Sequence, residues 1–130
     1  MKKLKIADLF CGAGGTSTGA IQALKRQGRA FDLLAVNHWP TAVATHELNH
    51  PEVRHLCADL GSIDPMKHTD GPLDLLCASP ECTHHSIARG GKPCDDQSRS
   101  SAWHVLHWID KTKPASLFVE KIGRASCRER

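Results

Sequence analysis

The sequence predicts an α/β chain whose strands form one parallel sheet covered by helices on both faces, and three observations carry that expectation. Apolar runs of strand length recur, at residues 4–7, 31–36, 53–57, 73–78 and 117–119. Segments with helical spacing of apolar residues, or with helix start and stop signals, lie between several of them. A glycine cluster, Gly12, Gly14 and Gly15, closely follows the first run. Strands that alternate with helices are joined by crossovers packing on the sheet, which makes the sheet parallel and buries both its faces.

Each element has its own signals. Leu4, Ile6 and Ala7 form a first short strand that breaks into the glycine turn. Only glycine lets a backbone approach a ligand closely there, so strand, glycine turn and helix together read as a nucleotide-cofactor loop. Thr16 and Ser17 are expected to cap a helix over residues 18–27, with Ala20, Ile21 and Leu24 at helical spacing and Gly28 as its stop. Residues 31–36 carry one charge, Asp32, near their start, and read as a second buried strand. Pro40 suits the first turn of a helix over residues 41–48, which Asn49, His50 and Pro51 end. A third strand over residues 53–57 leads to Asp59, and a polar connection with Pro65, Gly71 and Pro72 leads to a fourth over 73–78. A helix over residues 98–111 is expected to place Trp103, Leu106 and Ile109 on one side, with Trp103 and Trp108 serving in packing. Leu117, Phe118 and Val119 read as a fifth buried strand.

At 130 residues the chain is at most one domain, short for a catalytic architecture that carries its own substrate-reading module. Signal-peptide and bilayer-spanning patterns are both lacking, so a cytoplasmic location is expected, and the six cysteines read as reduced thiols. The net charge of +3 does not by itself indicate nucleic-acid binding. Without residues 121–130 the chain holds 13 basic and 13 acidic residues, so the excess sits in the tail. That tail lacks strand or helix periodicity and resembles a translated sequencing-library adapter. Residues 1–120 are therefore expected to be native sequence and 121–130 a non-native addition.

Residues 79–97 differ from the rest, with Pro80, Pro93, Gly90, Gly91, His84, His85, Cys82 and Cys94 and almost nothing apolar. Such a stretch leaving the carboxyl end of a strand lies where open α/β sheets bind ligands. The glycine turn, Cys82 and Glu120 all fall just beyond strand ends on that side, so a thiol and a carboxylate converge beside a cofactor pocket. Cys11, Cys57 and Cys77 read as inert small hydrophobes, and Cys94 as a bystander.

Several segments then share one resemblance. Asp8-Leu9-Phe10-Cys11-Gly12-Ala13-Gly14-Gly15 resembles the first motif of the cytosine carbon-5 DNA methyltransferases, and Asn37-His38-Trp39 resembles their second. Asp59 is similar to the acid of the third, Ser79-Pro80-Glu81-Cys82-Thr83-His84-His85-Ser86 to the nucleophile loop, Gln97-Ser98-Arg99 to the Ser-Arg element, and Phe118-Val119-Glu120 to the start of the Glu-Asn motif. The motifs keep the family's order over residues 4–120. Glu81 stands where most relatives carry proline, Thr83 where glutamine is commoner, and His38 where a ribose-binding acid is usual.

The resemblance implies a partial Rossmann-like S-adenosylmethionine-dependent methyltransferase fold. It implies a cofactor pocket at Asp8, Phe10, Cys11, Gly12, Gly14, Gly15, Asn37, His38, Trp39, Asp59, Leu60 and Ser79, and no metal. It further implies covalent addition of Cys82 at carbon 6 of a flipped cytosine, with Glu120 holding ring nitrogen 3 and the exocyclic amine and Arg99 helping to hold the base. Double-stranded DNA is the implied substrate of a full-length monomeric enzyme, bacterial or phage-encoded and paired in some systems with a restriction endonuclease. This polypeptide lacks the family's target-recognition region and final helix, so weak cofactor binding and no DNA methylation are expected of it. A transfer-RNA cytosine methyltransferase shares the catalytic motifs and stays open as an alternative. So does a zinc module using Cys82, His84, His85 and Cys94, although that spacing is not a standard ligand pattern. A dinucleotide oxidoreductase shares the fold logic but needs a further glycine offset that this turn lacks.

Overall fold

The computed structural model describes residues 2–80 and 96–120, with the backbone alone for residues 96–99. Five strands form one sheet: β1 (Leu4–Leu9), β2 (Phe31–Asn37), β3 (Arg54–Cys57), β4 (Leu75–Ala78) and β5 (Ser116–Val119). Three helices connect them: α1 (Gly15–Arg26), α2 (Pro40–Asn49) and α3 (Asp96–Thr112). The strand order is β3-β2-β1-β4-β5 and every pairing is parallel. Order reverses at β1, which puts a topological switch point between β1 and β4.

Strand alternation sorts the core into two layers. Ile6, Leu33 and Ala35 face α1, packing with Ile21 and, at the margin, Leu24 and Leu75. Ala7, Leu9, Leu34, Val36, Leu76 and Ala78 face the other way, against Val105 and Trp108 of α3. His46 of α2 meets Ser17 of α1 and His55 of β3, so α2 shares the α1 face. The expected parallel sheet with helices on both faces is what the chain forms.

Local corrections have physical causes. Helix α1 starts at Gly15, earlier than its apolar spacing suggests, after Gly14 in a left-handed conformation at φ 105° with no side-chain cap. Thr16 and Ser17 lie inside the first turn, where Ser17 donates its hydroxyl proton to Asp8 and is not a cap. On α3 the buried stripe is Ser101, Val105, Trp108 and Thr112, while Trp103 is 71% exposed and Leu106 is exposed as well. Polar members sit in that stripe at tolerable cost because Thr112 donates its hydroxyl to the Trp108 carbonyl at 2.7 Å. The run Leu117, Phe118 and Val119 does form β5, yet all three are exposed, because β5 pairs only with β4 and no described element covers it. The polar connection before β4 holds two single-turn 3-10 segments, Leu60–Ser62 and Pro65–Lys67, each opened by an aspartate side chain accepting from a backbone amide. No described helix is long and apolar enough to cross a membrane.

Candidate functional site

In a parallel sheet all strands end at one edge, and this edge gathers the segments picked out in sequence. The glycine turn follows β1, His38 and Trp39 follow β2, Asp59 and Leu60 follow β3, Ser79 follows β4 and Glu120 follows β5. Backbone bonds hold these exits in line. The Cys11 amide donates to the Val36 carbonyl at 3.1 Å, Ala58 to Asn37 at 3.0 Å, Ser79 to Leu9 at 3.1 Å and Glu120 to Ala78 at 3.0 Å.

The turn itself needs left-handed backbone at three places: Phe10 at φ 57°, Gly12 at 54° and Gly14 at 105°. Phe10 bears that strain as a non-glycine residue and packs its ring against the α3-side core. Gly12 has open space where a Cβ would stand, so its backbone is presented bare. Gly14 has none: a Cβ there would lie 2.9 Å from Cδ2 of His46 and 3.1 Å from Cδ2 of His50. Glycine is thus required at 14 by both conformation and crowding.

Asp8 lies beneath the turn rather than at its surface. It is 1% exposed, accepts from the Ser17 hydroxyl at 2.6 Å, and leaves Oδ1 without a partner among the described residues. Burial pushes its carboxyl up to about 6, against the opposing hydrogen bonds from the Ser17 side chain and amide. The same buried setting, with the Asp8 charge nearby, pushes Cys11 up to about 12 and Cys77 up to about 11, which leaves both as inert thiols.

On the β2–β3 side, Asn37 accepts the Trp39 amide at 2.9 Å and shapes the exit, leaving His38 and the Trp39 ring exposed. Asp59 opens the Leu60–Ser62 turn by accepting the Gly61 amide at 3.2 Å through Oδ1, and Leu60 turns inward to the core. On the β4–β5 side, Glu120 is exposed and adjoins a groove of about 490 Å³ walled by Gly15, Thr16, Gly19 and Ala20 of α1 and by Leu75, Cys77 and Phe118. That groove runs along the sheet face rather than over the β1–β2 edge. Cys82, the other residues of the 81–95 segment, and the Arg99 side chain lie outside the described residues. Sequence reasoning missed His46 and His50, which form the floor of the turn; their four-residue spacing on a helix was the available signal.

A model of the C-5 cytosine-specific DNA methylase family matches residues 4–126. Type II methyltransferase M.AgeI of Thalassovita gelatinovora is 28% identical over 92% of this chain and 28% of its own length. M.HgiGI of Herpetosiphon aurantiacus, also a type II methyltransferase, is 29% identical over 94% of this chain and 93% of its own. Among solved structures, a DNA modification methyltransferase protein encoded within an E. coli prophage superposes with a TM-score of 0.73 at 25% identity, covering 93% of this chain and 32% of that one. Spodoptera frugiperda DNMT2 superposes at 0.65 with 23% identity, over 92% of this chain and 36% of that one. The chain thus spans about a third or less of the length of M.AgeI and of the prophage protein.

Proposed function

The chain belongs to the C-5 cytosine-specific DNA methylase family, and we propose that it carries the cofactor shelf and the base-activating residues of a DNA cytosine carbon-5 methyltransferase. The observation that carries this reading is the convergence of five motif-bearing strand exits on one sheet edge. S-adenosylmethionine is the family's methyl donor, and the residues at this edge fit it. Gly12 presents bare backbone at the turn, and the 12-residue α1 directs its positive end there, which suits the donor's carboxylate. Asn37 and His38 offer polar atoms along the edge for the ribose, the exposed Trp39 ring offers apolar surface for adenine, and Asp59 offers an acceptor for its amine, while Leu60 anchors the Asp59 turn to the core. When bound, the donor supplies an electrophilic methyl group on a sulfonium.

The chain's own residues then prepare the acceptor. The Cys82 thiolate adds to carbon 6 of a flipped cytosine, and electron density moves to carbon 5. Glu120, held at the edge by its backbone bond to Ala78, meets ring nitrogen 3 and the exocyclic amine and offsets the developing charge; Arg99 holds the base. Once carbon 5 carries the methyl group, its proton leaves to a base, the carbon–sulfur bond breaks, and the thiolate departs. Double-stranded DNA is the substrate of the whole enzyme in this reading, and the type II names of the relatives support a restriction-modification setting in which a monomeric enzyme would work beside a restriction endonuclease. Residues 1–120 form the amino-terminal part of the catalytic domain and 121–130 a non-native tail, which resequencing of the locus across that junction checks.

The exposed β5 and the open groove beside α1 support a polypeptide of 130 residues that binds the donor weakly and does not methylate DNA. Incubation with labelled S-adenosylmethionine and cytosine-rich DNA is expected to give no incorporation, and robust incorporation overturns that inactivity. Titration with S-adenosylhomocysteine is expected to show weak binding that a nicotinamide dinucleotide does not displace. Displacement by the dinucleotide removes the methyltransferase reading of the shelf.

A further inference from the structure

Beneath the glycine turn, side chains from four elements form one hydrogen-bonded chain. Ser17 Oγ lies 2.6 Å from Asp8 Oδ2, His46 Nε2 lies 2.9 Å from Ser17 Oγ, and His55 Nε2 lies 2.8 Å from His46 Nδ1. Asp8, Ser17 and His46 are buried, and His55 is half-buried on β3. The direction of every bond follows from the inventory of donors. An ionised carboxylate only accepts, so Ser17 gives Asp8 its one hydroxyl proton and can only accept from His46. His46 therefore carries its proton on Nε2, and as a neutral ring it accepts at Nδ1 from His55. All three donors point toward Asp8.

The same cluster grips Gly14. The His46 ring sits where a Gly14 Cβ would be, and the His50 ring borders the same space. The Gly14 carbonyl accepts from both the Thr18 amide and the Thr18 hydroxyl, each at 2.8 Å, and the Gly14 amide donates to Cys11 at 3.1 Å. With its proton committed to Gly14, the Thr18 hydroxyl accepts from His50 Nε2 at 2.7 Å.

We propose that His46 is the positioning residue of the glycine turn: by donating through Ser17 to Asp8 while walling Gly14, it fixes the turn in the shape that receives S-adenosylmethionine. This rests on the cofactor reading given above. The groups facing His46 are Asp8 from β1 by way of Ser17 of α1, His50 just beyond the end of α2, which itself bonds Thr18, and His55 from β3. Burial first, and then the His55 and His50 rings, lower His46 to about 4, so it stays the neutral ring that the bond directions require near neutral pH.

Two readouts need no cofactor. Nitrogen-15 spectra of the chain are expected to show His46 as the Nε2-protonated tautomer and uncharged at pH 7.5, where Asp8 is ionised; a charged ring or the other tautomer overturns the assignment. Hydrogen exchange at the Gly14 and Thr18 amides is expected to speed about tenfold in His46→Leu, with amides of β2 unchanged. His46→Gln, whose amide can still donate to Ser17, restores exchange to within about threefold. A purely structural role instead speeds exchange across the sheet and shows no rescue by Gln. Ser17→Ala cuts the same chain and serves if His46→Leu does not fold. Affinity for S-adenosylhomocysteine is expected to fall about tenfold in the same order of variants. Equal affinity in all variants overturns the proposal, whereas local exchange changes with no binding to any variant overturn the cofactor site and leave the positioning intact.

Discussion

Replacing Asp8 by Asn removes a buried charge whose linkage to folding opposes that of His46, and the pH dependence of stability exposes both. Asp8 rises from 3.8 to about 6 on folding. Its contribution is fully present below 3.8 and is lost as pH rises through about 6, because the folded state holds a proton in that window that the unfolded chain does not. His46 falls from 6.5 to about 4, so its contribution is present above 6.5 and is lost as pH falls through about 4. At about 1.4 kcal/mol for each pH unit, each shift amounts to about 3 kcal/mol, with opposite slopes between about 4 and 6. The two nearly cancel in the parent protein. Asp8→Asn keeps an acceptor for Ser17 and leaves His46 uncompensated, so from pH 6 to pH 4 its stability should fall relative to the parent by about 2 kcal/mol, the part of the full shift that falls inside this window. His46→Gln should rise relative to the parent over the same range. Urea unfolding followed by circular dichroism at half-unit pH steps measures both differences, and other carboxylates drop out of the comparison. Parallel curves for Asp8→Asn and the parent refute the reasoning.

Four other outcomes follow from the geometry. Gly14→Ala should cost about 2–4 kcal/mol, combining left-handed strain with a Cβ 2.9 Å from the His46 ring, measured by the same urea midpoints. Trp108→Ala should cost about 3–5 kcal/mol, whereas Trp108→Phe should cost less than about 1.5 because the indole N–H has no partner among the described residues to lose. With a thiol reagent at pH 8 and peptide mass spectrometry, Cys57 should be modified before Cys11 and Cys77, which are buried and raised to about 12 and 11. Amides of β5 should exchange faster than those of β1 and β2, since among the described residues β5 has one neighbouring strand and exposed side chains; equal protection counts against an edge position.

The central strands were legible because residues 31–36 are apolar on both faces, which only a strand buried from two sides requires. The motif segments were legible as neighbours for a related reason: a parallel sheet sends every strand exit to one edge, so order along the chain predicts proximity in space. Burial of β5 was not legible, since an apolar run records what a surface prefers and not what covers it. On α3, Trp103, Leu106 and Ile109 fit helical spacing as well as Ser101, Val105, Trp108 and Thr112 do. Hydrophobicity favours the first stripe, of which Ile109 does pack against the core, and the second wins elsewhere because Trp108 fills the α3-side layer while Thr112 satisfies itself on the helix backbone. Ser17 read as a cap because cap and carboxylate partner demand the same hydroxyl, and only the position of Asp8 under α1 decides between them.

That last contact shows how the sheet order bears on the chemistry. β1 is the strand at which the order turns, so its glycine turn has the β2 and β3 exits on one side and the β4 and β5 exits on the other. On the proposed reading, Asn37, His38, Trp39 and Asp59 thus lie on the side of the edge that would receive the donor, and Glu120 on the side that would receive the base. Methyl transfer requires the two reacting carbons to meet at the boundary, and a small displacement there is costly in rate. The turn over β1 is the element both halves share, so its rigidity matters more than that of either flank. The buried chain from Asp8 through Ser17 and His46 to His55 ties β1, α1, α2 and β3 together beneath that turn. It does so with directional bonds in a layer that apolar packing alone would leave free to slide, and this gives the fold a reason to keep a carboxylate and two histidines where Leu and Val would cost less to bury.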